Sequence, residues 1–297
     1  MSIAAVLNVH SQPDLIIDTL DSIFTFMTEK VVVVVDGAKW DEFKDISLPV
    51  GKVEGFYHNI RRAPFRNVAL ALKTVTEAWP HEDWYCYTEY DVLFTSPRFM
   101  HNLKLAEERD VWMLGNDGHV DNVQMPMIES MIGDKFKSYY YLLGCCQFFH
   151  RKFIDKLREI NFFDRFLNLT NGFTMGSLPG YEGYDLSEHM YPTLCRHFGG
   201  NVGVFAHYDE TGKWHGAYKV FPCRWKPELD PETENFDEAS IMHPLKTYDH
   251  PIRAHHRERR KQWKALLQKG KRSESSSTCP SDTRQAADES SIASSVD

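Results

Sequence analysis

Two carboxylates interrupt a stretch of the chain that is otherwise apolar. The segment "DWYCYTEYDVLF", residues 83–94, is rich in aromatic and β-branched residues, which are typical of a buried strand. Glu89 and Asp91 are two residues apart in it, and alternate side chains of a strand point to the same face. Like charges repel unless a cation or a polyol ligand lies in front of them. On this segment alone, a ligand site and a pair of solvated acids explain the pattern equally well.

A third acid, Asp36, closes the run "KVVVVVDG". Five consecutive valines indicate a parallel strand that is buried on both faces, with Asp36 at its carboxyl end. The apolar run at residues 2–9 and the helical spacing over residues 11–29 complete a predicted β-α-β unit. Ligands of open α/β sheets collect at the carboxyl edge of the strands. The convergence of Asp36 with Glu89 and Asp91 at that edge therefore favours a functional site.

The rest of the chain continues the alternation of strands and helices. Ser11 is predicted to cap the first helix, with Pro13 in its first turn. The later patterns predict, in order, a strand at 52–60, a helix at 63–79, the strand at 83–94, a strand at 109–117, a strand leading into a helix at 139–160, a Gly-rich aromatic loop at 164–184, a helix at 185–200 and a strand at 201–208.

Composition excludes several classes of protein. The 297 residues are 42% hydrophobic and 26% charged, which suits a large globular core, and the net charge of −8 disfavours a general nucleic-acid binder. The first ten residues lack a signal-peptide pattern and no apolar run is long enough to cross a bilayer, so we expect a cytoplasmic protein. The six cysteines form no CxxC pair, so neither a zinc site nor a disulfide framework is expected, and Cys145 and Cys146 are interpreted as small buried thiols.

Over about residues 3–250 the chain resembles glycosyltransferases of the GT-A fold, most closely those of the family-2 type. Asp36 in "VVVVVDG" matches the acid that contacts the nucleotide base in that family. Arg66 and Asn67 in "APFRNVALAL" match its Arg-Asn step at a helix start. "TEYD" fits its metal-binding acid-x-acid motif, with Glu89 in place of the usual first Asp, so its role is open between ribose and metal contact. The resemblance implies a mixed, mostly parallel central sheet flanked by helices.

The resemblance also implies a donor site for a UDP-sugar or GDP-sugar, because a nucleoside diphosphate leaving group needs a divalent cation on its phosphates. Oxygen ligands suit Mg²⁺ or Mn²⁺, with Asp91 as a direct ligand and Glu89 beside it. "IMHPLK" offers His243 as a further ligand and Lys246 for a phosphate. The position of His243 alone does not exclude its competitors, which are His207, His215, His250, His255 and His256.

Inverting members of this fold use one carboxylate as general base at the start of a helix in the acceptor half. "GYEGYDLSEHMYPTL" supplies Glu182, Asp185 and Glu188, and Glu188 is preferred to Asp185 because Ser187 is predicted to cap the helix. Gly144 in "LLGCCQFF" matches a glycine beside the donor sugar, although tight strand packing explains it equally well. Four aromatic side chains are candidates for stacking on sugar rings, namely Tyr181, Tyr184, Trp214 and Trp225.

These assignments predict one large domain with two halves. Residues 1–115 form the nucleotide-sugar half and residues 116–256 the acceptor and catalytic half, whose acceptor is a carbohydrate or a lipid-linked sugar. A basic helix at 257–272 and a disordered tail at 273–297 follow. The basic helix suits an anionic membrane surface or plain solvent, and its weak apolar stripe favours solvent.

Three other functions share parts of the pattern. A sugar-nucleotide pyrophosphorylase would show a Gly-rich, Arg-containing phosphate loop after the first strand, and a dinucleotide oxidoreductase would show GxGxxG there, whereas this chain has "NVHSQPD". A catalytically silent carbohydrate- or nucleotide-binding scaffold of the same fold remains as the alternative from a different class. Whether Glu89 and Asp91 hold a metal ion discriminates the silent scaffold from the enzyme.

Overall fold

The computed structural model describes most of the chain. The described residues are 1–10, 12–36, 40–56, 64–174, 176–179, 181, 185–205, 207–208, 214–215, 221–223, 228–232 and 237–275. The chain divides into two compact units, Met1–Glu258 and Arg259–Asp297. The division of the first unit into a nucleotide half and an acceptor half stays a prediction.

A seven-stranded sheet organises the first unit, with the strand order β3-β2-β1-β4-β7-β6-β8. Strands β3, β2, β1 and β4 run parallel to one another. Strand β7 is antiparallel to both of its neighbours, and β8 is parallel to β6. The predicted fold class, a mixed and mostly parallel sheet flanked by helices, is confirmed.

The strands are β1 (Ile3–Val9), β2 (Val31–Val35), β3 (Gly51–Glu54), β4 (Trp84–Glu89), β5 (Leu93–Phe94), β6 (Val111–Asp121), β7 (Tyr139–His150), β8 (Asn201–Val204), β9 (His207–Tyr208), β10 (Trp214–His215) and β11 (Ile241–Met242). The helices are α1 (Pro13–Phe26), α2 (Trp40–Phe43), α3 (Pro64–Ala78), α4 (Phe99–Glu108), α5 (Pro126–Ile132), α6 (Arg151–Glu159), α7 (Phe162–Leu169), α8 (Leu186–His197) and α9 (Pro251–Ser275). Among these helices none combines the length and the apolarity needed to cross a bilayer.

The sheet separates two apolar cores. In β2, Val32 and Val34 pack into the core on the side of α3, α7 and α8, while alternate residues such as Val33 pack into the core on the side of α1 and α4. Side chains alternate across a strand, so a strand covered on both faces needs apolar residues at every position. This packing explains the five-valine run and places Asp36, the next residue, at the edge of the sheet.

The strand predicted over 83–94 is interrupted. Strand β4 ends at Glu89, and β5 pairs with β11 in a separate two-stranded sheet. The Val92 amide donates to the Glu89 carbonyl at 3.2 Å, so the chain turns through Asp91 instead of continuing the ladder. The prediction that Glu89 and Asp91 point to one face of one strand was therefore wrong. Pairing of residues 93–94 with residues 241–242, far away in the sequence, leaves no local pattern from which it could be predicted.

Two further predictions about the elements need correction. Residues 162–169 form helix α7, where a loop was expected from 164, because Phe162 and Phe166 bury their rings against the same core as α3. Helix α9 extends beyond the predicted 257–272 at both ends, since Pro251 suits a first helical turn and no proline follows in the helix. Residues 276–297 and Ser11, the predicted N-cap, lie outside the described residues.

A buried arginine joins three parts of the first unit. Arg253 of α9 is fully buried, and its Nη1 donates to Asp18 Oδ2 of α1 at 2.8 Å. Its Nε donates to the Leu245 carbonyl at 2.9 Å, and its Nη2 to the carbonyls of Tyr90 at 3.3 Å and Val92 at 3.5 Å. The guanidinium therefore holds the turn that contains Asp91 against the segment that follows His243.

We expect Arg253→Ala to lower the free energy of unfolding by about 3 kcal/mol, because the buried Asp18 carboxylate would lose its 2.8 Å contact with Arg253, while Arg257 Nη1 stays 3.7 Å from it. Lys156→Ala is the control, since Lys156 pairs with Glu159 on the exposed surface at 2.8 Å, and its loss costs less than about 1 kcal/mol. Urea denaturation followed by circular dichroism measures both. Equal losses in the two variants would contradict the structural role given to Arg253.

Candidate active site

Asp36 lies at the carboxyl edge of the sheet and is held by two amides. Asn67 Nδ2 of α3 donates to its Oδ1 at 2.6 Å, and Asn8 Nδ2 of β1 donates to its Oδ2 at 3.3 Å. Burial raises the pKa of Asp36 to about 7, although the bond from Asn8 acts in the opposite direction. The predicted acid is thus fixed in orientation by neighbouring elements.

Arg66, predicted together with Asn67, contacts a different part of the protein. Its Nη1 donates to the Leu167 carbonyl at 2.8 Å and to Thr170 Oγ1 at 2.9 Å, and its guanidinium lies 4.3 Å from the ring centre of Phe56. These contacts anchor the C-terminal end of α7 to α3. Asn67, the second residue of the Arg-Asn step, makes the contact with Asp36.

The turn after β4 brings Glu89, Asp91 and His243 together. One potential ligand atom from each of the three lies within 4.8 Å of the others. His243 Nε2 is 3.5 Å from Asp91 Oδ1. Pairing of β11 with β5, and a 2.9 Å bond from the Leu245 amide to the Asp91 carbonyl, place the histidine opposite the acids. The predicted group of two carboxylates and one imidazole is present in the structure.

The other histidines considered as ligands lie elsewhere. His250 is near the start of α9, and His255 forms an ion pair with Asp237 at 3.4 Å. Neither these residues nor His256 belongs to a group of potential ligands in the described part of the chain. The side chains of His207 and His215 lie outside the described residues.

The electrostatics of this group favour a cation. Burial, and then the charge of Asp91, raise the pKa of Glu89 to about 8. Burial alone would lower the pKa of His243, but its contacts with Asp91 and Cys223 outweigh burial and raise that pKa to about 10. Burial opposes ionisation of Asp91 too, yet the contact with His243 and the charge of Lys246 hold its pKa below the usual range.

The residues present fit a hard divalent cation. Asp91 Oδ1 is buried and lies 3.5 Å from His243 Nε2, but it forms no hydrogen bond of normal geometry with the part of the chain that the structure describes. A buried carboxylate oxygen without a hydrogen bond is costly, and a metal ion in front of it would remove the cost. Two carboxylates and an imidazole are ligands that Mn²⁺ and Mg²⁺ sites use.

Asp185 and Glu188 lie at the start of α8. Asp185 is the N-cap, since its Oδ1 accepts from the Ser187 amide at 2.9 Å and from the Ser187 hydroxyl at 2.8 Å. The prediction that Ser187 is the N-cap was wrong. The helix begins one residue earlier, at Leu186, and the carboxylate of Asp185 accepts the hydrogen bond from the Ser187 amide. Helix α8 also continues through Pro192, and Glu188 remains in its first turn as predicted.

Gly144 of β7 contacts Glu188 directly. The Gly144 amide donates to Glu188 Oε1 at 2.8 Å. A Cβ atom at position 144 would lie only 3.1 Å from Glu188 Cγ and Oε1. Gly144 and Glu188 were predicted as separate candidates, and the structure brings them into contact. Because Gly144 has no side chain, the Glu188 carboxylate has room beside β7.

Glu188 and Asp185 are both shifted toward their neutral forms. Burial, and then the charge of Asp185, raise the pKa of Glu188 to about 8. Burial also raises the pKa of Asp185, against the two bonds from Ser187. The charges of Asp185 and Glu89 both act on Glu188, so the acids of the two elements share one electrostatic environment. A carboxylate with a pKa near neutrality is suited to general acid-base chemistry.

Other polar residues at this edge were not predicted. Asn8 lacks a local motif, and the buried chain of hydrogen bonds from Tyr181 through His189 to Asp121 was missed. Tyr181 OH bonds to His189 Nδ1, and His189 Nε2 lies 2.8 Å from Asp121 Oδ2. Tyr181 is therefore buried in this relay instead of presenting its ring for stacking. Glu182, Tyr184, Trp225 and the side chain of Trp214 lie outside the described residues.

No family model and no curated protein matches the chain. Among solved structures, it is similar to a glycosyltransferase involved in glycosylation of the major capsid of PBCV-1, with 12% identity, a TM-score of 0.42 and coverage of 88% of this chain and 100% of that one. A 4-diphosphocytidyl-2C-methyl-D-erythritol synthase from Anaerococcus prevotii shares 12% identity, with a TM-score of 0.39 and coverage of 72% and 90%.

Glucosyl-3-phosphoglycerate synthase from Mycobacterium tuberculosis, solved with Mg²⁺ and UDP, is 14% identical, with a TM-score of 0.33. The match covers 51% of this chain and 57% of that one. Similarity at this level does not indicate an activity.

We expect Glu188→Gln to change how stability depends on pH. Because the pKa of Glu188 is raised in the folded protein, its favourable contribution is complete below the ordinary value of 4.5 and is lost as the pH rises through about 8. Glutamine keeps an acceptor for the Gly144 amide but cannot ionise. The variant should therefore gain stability relative to the wild type, on the order of 2 kcal/mol, between about pH 5 and pH 9.

Urea denaturation at several pH values, in EDTA, measures this difference. Glu159→Gln is the control, because the Glu159 carboxylate is exposed in a surface pair with Lys156, and its pH profile should parallel the wild type. A Glu188→Gln profile that also parallels the wild type would show that Glu188 ionises normally.

Proposed function

We propose that the protein is a metal-dependent glycosyltransferase that moves a sugar from a nucleoside-diphosphate sugar to an acceptor hydroxyl, with inversion. The observation that carries this proposal is the convergence of Glu89, Asp91 and His243 at the sheet edge that also holds Asp36. A nucleotide-binding acid, a cation site and a carboxylate of raised pKa are the parts that such a reaction needs. The donor is a UDP-sugar or a GDP-sugar.

In this proposal Asp36 contacts the base and its amide partners orient it. Its two hydrogen bonds, from Asn8 and Asn67, leave little freedom for the carboxylate to rotate. Lys246 follows His243 by three residues, and its charge acts on both Asp91 and His10. An ammonium close to the cation site is suited to a phosphate oxygen of the donor.

Glu89, Asp91 and His243 would hold Mn²⁺ or Mg²⁺. When bound, the ion stabilises the charge that develops on the diphosphate leaving group. The protein contributes by keeping the three ligands in place through the β5–β11 pairing and the Arg253 contacts. Rigid positioning of this kind lowers the cost of ordering ligands during the reaction.

Glu188 is the proposed general base and takes the proton from the acceptor hydroxyl. Its Oε1 is held by the Gly144 amide, so the acid has a fixed orientation. Its raised pKa keeps the conjugate acid stable near neutral pH, which favours proton transfer to this group. Asp185, which caps α8 and shifts the pKa of Glu188, is the alternative base. The acceptor is a carbohydrate or a lipid-linked sugar.

We expect Asp91→Asn to reduce donor turnover by about 100-fold or more, because an amide binds a divalent cation weakly. The measurement is release of free UDP or GDP from a panel of nucleotide sugars in Mn²⁺, Mg²⁺ or EDTA. Asp155→Asn is the matched control, since Asp155 forms a surface pair with Arg158 at 3.1 Å. That control should retain wild-type activity.

An enzyme that waits for its acceptor would release no nucleotide on its own, so calorimetry with UDP and GDP accompanies the assay. Binding that requires Mn²⁺ or Mg²⁺ and is weakened in Asp91→Asn supports the proposal. Metal-dependent nucleotide binding without turnover across a broad acceptor panel would favour the catalytically silent scaffold. Absence of metal-dependent nucleotide binding in the wild type would overturn the donor site.

A further inference from the structure

Two cysteines that are far apart in sequence meet next to His243. Cys145 lies in β7, and the backbone of Cys223 forms an isolated parallel β-bridge with the backbone of His243. Their Sγ atoms are 3.2 Å apart. A disulfide bond would hold them at about 2.05 Å, so these are separate thiols in contact. Two thiols this close to each other and to an imidazole are the ligand types that a soft metal ion prefers.

The histidine presents one nitrogen to the sulfurs and the other to the acids. His243 Nδ1 is 3.5 Å from Cys223 Sγ, and His243 Nε2 is 3.5 Å from Asp91 Oδ1. Potential ligand atoms of Cys145, Cys223 and His243 all lie within 4.8 Å of one another. The same imidazole therefore belongs to two groups of potential ligands, one rich in sulfur and one rich in oxygen.

The sulfur-rich group has the dimensions of a zinc site. Zn–S bonds of about 2.3 Å and Zn–N bonds of about 2.0–2.1 Å, in tetrahedral geometry, place two sulfurs about 3.8 Å apart and a sulfur and a nitrogen about 3.6 Å apart. The observed Sγ–Nδ1 distance of 3.5 Å meets this value. The Sγ–Sγ distance of 3.2 Å needs to widen by about 0.6 Å on binding, which is a small change for two cysteine side chains.

The surroundings supply what a soft metal needs. Zinc-bound histidines generally donate the remaining ring N–H to a carboxylate, and Asp91 is in that position. Cys145 and His243 are buried, while Cys223 is partly exposed. Three protein ligands leave the fourth tetrahedral position for solvent or a small ligand.

We propose that Cys145, Cys223 and His243 form a second metal site that binds Zn²⁺. Thiolate and imidazole ligands favour Zn²⁺ over Mg²⁺ or Mn²⁺, whereas the carboxylates of Glu89 and Asp91 favour the hard ions. Binding displaces the two thiol protons to solvent and involves no change of oxidation state. The site is distinct from the carboxylate site except for the shared imidazole.

Sharing of His243 links the two sites. With Zn²⁺ on Nδ1, the Nε2–H points to Asp91 and is no longer a ligand for an ion held by Glu89 and Asp91. We therefore expect Zn²⁺ to weaken Mn²⁺ binding by about 10-fold. This is the loss of affinity that is typical when a metal site loses a ligand or the hydrogen-bond partner that orients a ligand. This consequence rests on the proposed carboxylate site, whereas the zinc site itself does not.

The test uses the full chain, reduced and stripped of metal, and titrates it with Co²⁺ as a spectroscopic probe for Zn²⁺. The expected result is binding of about one Co²⁺ per chain at the thiolate site with a sulfur-to-cobalt charge-transfer band in the near ultraviolet, which one equivalent of Zn²⁺ abolishes. Cys145→Ser and Cys223→Ser should each lose the band. Cys195→Ser is the matched control, because Cys195 is a buried thiol bonded to the Asn201 carbonyl at 3.6 Å, and it should keep the band.

A wild-type spectrum without the charge-transfer band, or a band that persists in Cys223→Ser, would overturn the proposal. So would a disulfide between Cys145 and Cys223 that mass spectrometry finds in protein purified under reducing conditions. Circular dichroism shows whether each variant folds, and Cys223→Ser decides the matter if buried Cys145→Ser does not fold.

Electron paramagnetic resonance of free Mn²⁺, with and without one equivalent of Zn²⁺, tests the competition separately. The expected result is weaker Mn²⁺ binding on Zn²⁺ addition in the wild type and no such change in Cys223→Ser. A charge-transfer band combined with no Mn²⁺ binding at all would leave the zinc site standing and contradict the proposed carboxylate site. Mn²⁺ binding that is indifferent to bound Zn²⁺ would overturn the link through His243.

Discussion

The buried ion pair between Arg253 and Asp18 is the constraint on which the site geometry depends. Both side chains are withdrawn from water, so each charge needs close partners, and the 2.8 Å contact between them supplies one to both. The same guanidinium also binds the carbonyls of Tyr90 and Leu245. Satisfying one arginine therefore fixes the turn that contains Asp91 and the segment after His243 relative to α1. Residues contributed by distant parts of the chain then meet at one site.

Burial and neighbouring charges act in opposite directions on the ionisation of the acids at the sheet edge. Burial drives Glu89 and Glu188 toward their neutral forms, whereas the contact with His243 and the charges of Lys246 and Arg253 hold Asp91 ionised. Ionising all of these acids together is costly, because like charges would then lie close together in a medium of low polarity. A cation relieves that cost. The cost of ionising the acids together is thus the reason why the site suits a cation. Carboxylates with shifted pKa values are common at functional sites.

His243 has the same importance for the two sulfurs as for the two acids. Its ring nitrogens face opposite ways, and each has a neighbour at 3.5 Å. An imidazole binds a metal through one nitrogen and donates a hydrogen through the other, so the ligand on one side fixes the function of the other side. The cysteine spacing in the sequence indicated no zinc site, because residues 145 and 223 belong to different elements and only the fold places their sulfurs in contact.

The sequence by itself determined the alternation of strands and helices, the doubly covered β2 and the edge at which Asp36, Glu89 and Asp91 collect, because apolar periodicity and strand ends are local properties. It also selected His243, Gly144 and Glu188 as candidates. Only the tertiary structure decided that β4 stops at Glu89, that Asp185 caps α8, that Gly144 makes room for Glu188 and that Arg66 binds the end of α7. Those outcomes depend on contacts between residues far apart in the chain. The spacing of residues within a short segment carries no information about which distant residues such a segment contacts.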